Sequence, residues 1–145
     1  MRDAIGQVFA LQVILAFVLL INGYMAYSVN YTRAFRVKNQ IINIIEQYEG
    51  PENDEGKTKI NQYVRNMNYD VSNKLINEKR GEGYTCFQEG WCYKATNVST
   101  AEADGDRNGT YYTVVTFVNI DIPVINNLIG LGNFLEVTGE TRTIY

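Results

Sequence analysis

The sequence predicts an α+β protein in which one long N-terminal helix packs on a small antiparallel sheet. Three observations predict it: a charge-free apolar run near the N-terminus, an apolar rhythm of three- and four-residue steps that continues beyond it, and strand-like composition in the last third. The 145 residues carry 13 Lys+Arg and 16 Asp+Glu, a net charge of -3. That length holds one compact domain plus an appendage. Mild acidity without a long basic run removes the electrostatic footprint of nucleic-acid binding. The absence of His removes Ser-His-Asp and Cys-His catalysis, most zinc sites and the usual near-neutral base. No pair of carboxylates can be placed together from sequence, so no catalytic residues and no enzyme are expected.

Residues 5–26 read IGQVFALQVILAFVLLINGYMA, and no charged residue stands between Asp3 and Arg33. As a helix rising about 1.5 Å per residue, this run reaches about 33 Å, the thickness of a bilayer hydrocarbon core. Gln12 and Asn22 are among its few polar side chains, and Tyr24 and Tyr27 stand where interfacial aromatics belong. A soluble core helix would need more covering chain than the remainder supplies. A cleaved secretory signal is the second alternative, because a small-residue pattern, Ala26-Tyr27-Ser28, follows the run, but its n-region offers only Arg2, balanced by Asp3. The favoured reading is a retained anchor with Val8, Leu11, Leu15, Val18 and Ile21 as transmembrane packing residues.

The next stretch of chain supports retention. Ala34, Val37, Ile41, Ile44, Ile45 and Tyr48 recur at helical spacing, with Arg33, Arg36, Lys38, Asn39 and Asn43 largely between them. No Pro interrupts the chain before Gly50-Pro51, which is a strong stop, so one helix is expected over residues 5–49. Ala34, Phe35, Val37, Ile41 and Ile45 are the residues expected to hold the head. The boundaries are therefore residues 1–28 for the transmembrane half, 29–50 for the amphipathic continuation and 51–145 for an α+β head.

The head begins with a loop over residues 51–58. Ile60, Tyr63, Val64 and Met67 then predict a helix, and Val71, Leu75 and Ile76 a second short one, with residues 77–83 as a connector. Residues 93–99, 111–120 and 134–145 are rich in Thr, Val, Tyr and Phe and predict strands, with Asn108-Gly109 as a tight turn between two of them. Between the last two strands, Pro123, Val124, Ile125, Leu128, Ile129 and Leu131 suit a short helical turn or a crossover, buried under the sheet or set against a membrane or subunit.

Cys86 and Cys92 flank five residues that include the turn-former Gly90, a spacing that suits a small disulfide loop in an oxidising compartment. Two free structural cysteines are the alternative, and two thiols without His make a poor metal site. Arg33, Arg36 and Lys38 outnumber Arg2, which on charge alone places the head in the cytoplasm. The cysteines place it outside. Asp104, Asp106 and Asn108 match the first half of a calcium loop, with Glu102 as an added ligand. The twelfth loop position is Val115 and the flanks are strand-like, so an EF-hand is excluded; the ordinary reading is a solvated turn with no cofactor, and a Ca2+-binding hairpin is the alternative. Asn-x-Ser/Thr triplets at Asn30, Asn97 and Asn108 carry weight only in a glycosylating host.

The order of a charge-poor apolar helix, an amphipathic half and a short disulfide-bearing sheet resembles the pilin-like proteins of bacterial type IV filaments and type II secretion systems. Within that group it resembles the TadE-like pseudopilins of tight-adherence loci. The likeness is carried by QVFALQVIL at residues 7–15, YTRAFRVKN at residues 31–39 and VTGET at residues 137–141. The resemblance implies a cytoplasmic N-terminus, a single-pass anchor in the bacterial cell membrane, an extracellular head, and packing against copies of itself or other pilin-like subunits. A secretion platform protein and its ATPase would be indirect partners, since the chain has no G-x-x-x-x-G-K-[ST] loop of its own. A cut after Gly6 would put Leu11 at the fifth mature position, where classical pilins carry Glu, which points to an accessory subunit rather than a major pilin. The alternative from a different class is a secreted ligand- or Ca2+-binding module released near Ser28.

Overall fold

The computed structural model describes residues 2–67, 69, 71, 73–102, 105–118 and 135–145, and of residues 2–5, 100–102 and 105–107 the backbone alone. The fold is α+β. Three helices, α1 (Arg2–Gln47), α2 (Asp54–Asn66) and α3 (Asn73–Gly81), precede strands β1 (Thr85–Cys86), β2 (Trp91–Glu102), β3 (Gly105–Phe117) and β4 (Glu136–Glu140). The strands form one antiparallel sheet in the order β1-β2-β3-β4.

Helix α1 runs unbroken for 46 residues, about 69 Å at the ordinary rise. Its stop lies where Gly50-Pro51 predicts it. The Gly50 N–H donates to the Ile45 carbonyl at 3.0 Å, and the left-handed residue of this six-to-one closure is Glu49, with φ of 56°. Gly50 itself has φ of 146°, beside the Tyr112 hydroxyl. Helix α2 starts on Asn53, whose side chain accepts from the Glu55 N–H at 2.9 Å and the Gly56 N–H at 3.4 Å. Asp54 and Glu55 in its first turn and Arg65 in its last suit the helix dipole. Helix α3 continues through residues 77–81, which composition alone reads as a connector. The difference has a physical source: only Ile76 needs burial, so one apolar stripe suffices and the polar residues simply face outward.

The sheet is covered on both faces at its base. Trp91, Tyr93 and Val114 pack with Val37, Ile41, Ile45, Ile60 and Val64 of α1 and α2, while Cys86, Cys92, Val115 and Phe117 pack with Ile76 of α3. Successive strand residues point to opposite faces, which is why residues 91–93 and 114–118 are buried without alternation. Strands β2 and β3 also run longer than the sequence predicts, whereas β4 covers only five of the residues expected over 134–145. β2 and β3 pair from Trp91↔Thr116 out to Glu102↔Gly105, and Asn108-Gly109 is not a turn: these residues lie within β3 opposite Ser99 and Val98. Gly109 is needed there because Thr143 and Tyr145 cross it where a Cβ would stand, next to the Thr110↔Ile144 bridge. The stretch from Pro123 to Leu131 lies outside the described residues.

Strand β4 lies alongside α1. Val137 packs with Ala34, the place of a Gly139 Cβ is 2.8 Å from Ile42 Cδ1 and 2.9 Å from Lys38 Cδ, and Arg142 pairs with Glu46 at 3.0 Å. Twelve helical residues rise about 18 Å and five strand residues about 17 Å, so strand and helix advance together. Gly139 permits the close approach.

Candidate functional site

The candidate site is a surface, the helix α1, whose environment changes completely along its length. Val8, Leu11, Leu15, Val18 and Ile21 are all 48–59 % exposed, and the apolar residues around them are exposed too, on every side of the helix. Farther along, Ala34, Val37, Ile41 and Ile45 are fully buried. Phe35, expected with them, is 41 % exposed. One residue step turns a helix by about 100°, which carries Phe35 off the head-facing stripe. It instead stacks on Tyr31, itself stacked on Tyr27, with ring centroids 6.4 and 6.0 Å apart. Lys38 Nζ closes this ladder 4.3 Å from the Phe35 ring. The Lys38 stem is buried against the head, and burial holds its ammonium below the ordinary lysine range.

Among the described residues, the helix over Gly6–Gln47 is the one long and apolar enough to cross a membrane. Its polar interruptions are handled locally: the Asn22 side-chain amide donates to the Val18 carbonyl at 2.8 Å, and the Thr32 hydroxyl to the Ser28 carbonyl at 2.8 Å.

The junction of helix and head is built from contacts distant in sequence. The Thr116 hydroxyl donates to the Ala34 carbonyl at 2.9 Å in a buried setting. The Tyr69 hydroxyl donates to the Phe117 carbonyl at 2.6 Å and accepts from the Phe117 N–H, and burial pushes its phenol well above the usual tyrosine range. Glu46 accepts from the Arg142 backbone N–H at 2.8 Å. Periodicity cannot find such residues, since each lies between 48 and 96 positions from its partner.

Cys86 and Cys92 stand opposite each other in the β1–β2 register and form a disulfide across a Cα–Cα distance of 4.1 Å. The connecting turn uses Gly90 at φ of 93°, and its N–H donates to the Phe87 carbonyl at 3.1 Å. Two of the three suggested calcium ligands lie within the described residues. Asp106 and Asn108 are β3 positions opposite Ala101 and Ser99, and Asp104 lies outside the described residues. Among the described residues, no group of three or more His, Cys, Asp or Glu side chains converges in a way that would hold a metal.

A cleft of about 250 Å³ between α3 and the ends of β3 and β4 is lined by Leu75, Glu78, Lys79, Glu82, Phe117, Leu135 and Glu136. Lys79 lies 2.7 Å from Glu82 and 2.8 Å from Glu136. Burial alone would lower its ammonium, but the two carboxylates outweigh burial and hold it raised. This is a charge-compensated clamp joining α3 to β4, not a poised base. No family model, curated protein or solved structure matches the chain.

Proposed function

We propose that the chain is a membrane-anchored structural subunit of a bacterial surface filament or secretion apparatus, pilin-like or pseudopilin-like, whose TadE-like features suggest a tight-adherence system. It acts by packing and display, with no chemical step. The bare half of α1 lies in the lipid bilayer, single-pass, and packs there against neighbouring subunits; the disulfide-bearing head stands on the extracellular side. One observation carries this proposal: a single unbroken helix passes from apolar residues exposed on every side to residues fully buried in its own head. A helix bare of cover over so much apolar surface requires lipid or other helices.

The test is fractionation of cells expressing the full chain. The protein is expected to stay with membranes through an alkaline carbonate wash, to lose its head to protease added outside intact cells, and to form Leu15→Cys cross-linked dimers. A mature N-terminus at Val29 with the protein free in the medium would overturn the anchor in favour of a secreted module.

A further inference from the structure

Arg33 and Arg36 differ from the other arginines whose side chains the structure describes. Arg65 pairs with Glu89 at 3.0 Å, Arg80 donates to the Cys86 carbonyl at 3.0 Å, and Arg142 pairs with Glu46. Arg33 and Arg36 have no hydrogen-bond or ion-pair partner among the described residues. Both are exposed, whereas Ala34 and Val37 beside them are buried, so the pair lies on a face that the head leaves open. Lys38, the nearest other cation, is spent on Phe35 and the β4 contact.

Their spacing and level indicate what covers them. Residues three apart on a helix are surface neighbours about 5–6 Å apart, close enough for two guanidiniums to share one phosphodiester, whose oxygens match their fork geometry. Arg33 lies seven residues beyond Ala26, about 10 Å along the axis, just past the hydrocarbon edge expected from the apolar run. Side chains on a helix lean toward its N-terminus, which here is the direction of the apolar half. The stacked Tyr27 and Tyr31 lie between the apolar run and Arg33, about 9 and 3 Å before it along the axis, where amphipathic rings favour the headgroup layer.

We infer that Arg33 and Arg36 together bind the phosphate of an anionic phospholipid at the foot of the head. This inference rests on the proposed membrane anchor and adds a lipid class to it. The full chain is reconstituted into vesicles of equimolar phosphatidylglycerol and phosphatidylcholine, extracted in mild detergent, and the retained lipid is quantified. Wild type is expected to retain phosphatidylglycerol over phosphatidylcholine by at least about five-fold, the scale of one basic residue near an anionic surface. The double variant Arg33→Gln/Arg36→Gln is expected to fall to near parity, Arg33→Lys/Arg36→Lys to lie between, and Arg65→Gln to match wild type. Parity in wild type, or unchanged enrichment in the double Gln variant, overturns the inference and leaves the anchor standing. Release of the wild-type chain from pure phosphatidylcholine vesicles by alkaline carbonate overturns the anchor itself, and the lipid contact with it.

Discussion

The two halves of α1 are one unbroken helix with two different distributions of apolar residues. Between residues 8 and 21 large apolar side chains point in every direction and all are exposed; between residues 34 and 45 the apolar side chains other than Phe35 form one stripe, which is buried apart from the half-buried Ile42. The second half needs only its own head, because a sheet covers one face and Arg33, Arg36, Asn39 and Asn43 supply the others with polarity. No single face of a small sheet can satisfy the first half. The distribution of apolar residues around a helix, more than their number, therefore decides whether its partner is its own chain or something outside it.

That contrast can be broken most severely at Ile41. Ile41→Asp places a carboxylate at a fully buried position and is expected to cost about 4 kcal/mol or more, releasing the head from the helix. Limited proteolysis of the variant should cleave between α1 and α2, and wild-type resistance would refute the packing role. The same substitution at Leu15 should do the reverse. It is expected to oppose membrane insertion by about 3 kcal/mol while leaving the melting temperature of the head unchanged; both are read from one preparation by carbonate extraction and thermal denaturation.

Smaller effects sharpen the comparison within the head. Replacing Cys86 and Cys92 together by Ala removes a short loop closure and is expected to cost about 2 kcal/mol, measured by denaturant midpoint with and without reductant, with membrane retention unchanged. The smallest effect is at Glu46. The Arg142 backbone N–H holds its carboxyl below the ordinary 4.5, burial opposes this, and the Arg142 guanidinium adds to the lowering. Because the folded value is depressed, the stabilisation is complete above the unfolded value and fades as pH falls from about 4.5 through the folded one. The expected loss is under about 1 kcal/mol, and Glu46→Gln should remove that part of the acid limb of the stability profile.

The sequence is most legible where one rule acts alone. The stripe from Ala34 to Ile45, the apolar run before it and the stop at Gly50-Pro51 each follow from helix period or backbone freedom. Legibility falls where two rules compete. Phe35 is apolar and adjacent to the stripe, yet the helical turn assigns it to the aromatic flank with Tyr31. Asn108-Gly109 has turn chemistry, yet its glycine answers to the crossing of Thr143 and Tyr145. Residues 77–81 are polar enough for a loop, yet Ile76 holds them in a helix. The junction contacts Thr116–Ala34, Tyr69–Phe117 and Glu46–Arg142 leave no local pattern, because each is written in two distant parts of the chain.

The parallel course of β4 and α1 has a mechanical consequence. Val137, Gly139 and Arg142 meet Ala34, Lys38 with Ile42, and Glu46 in order along the helix axis. Tension between an anchored lower half of α1 and a load gripping the sheet would slide the two elements past each other, straining all three contacts together. A shearing joint of this kind resists far better than one that peels open contact by contact, so the seam is strongest along the direction in which a tethered head would be pulled.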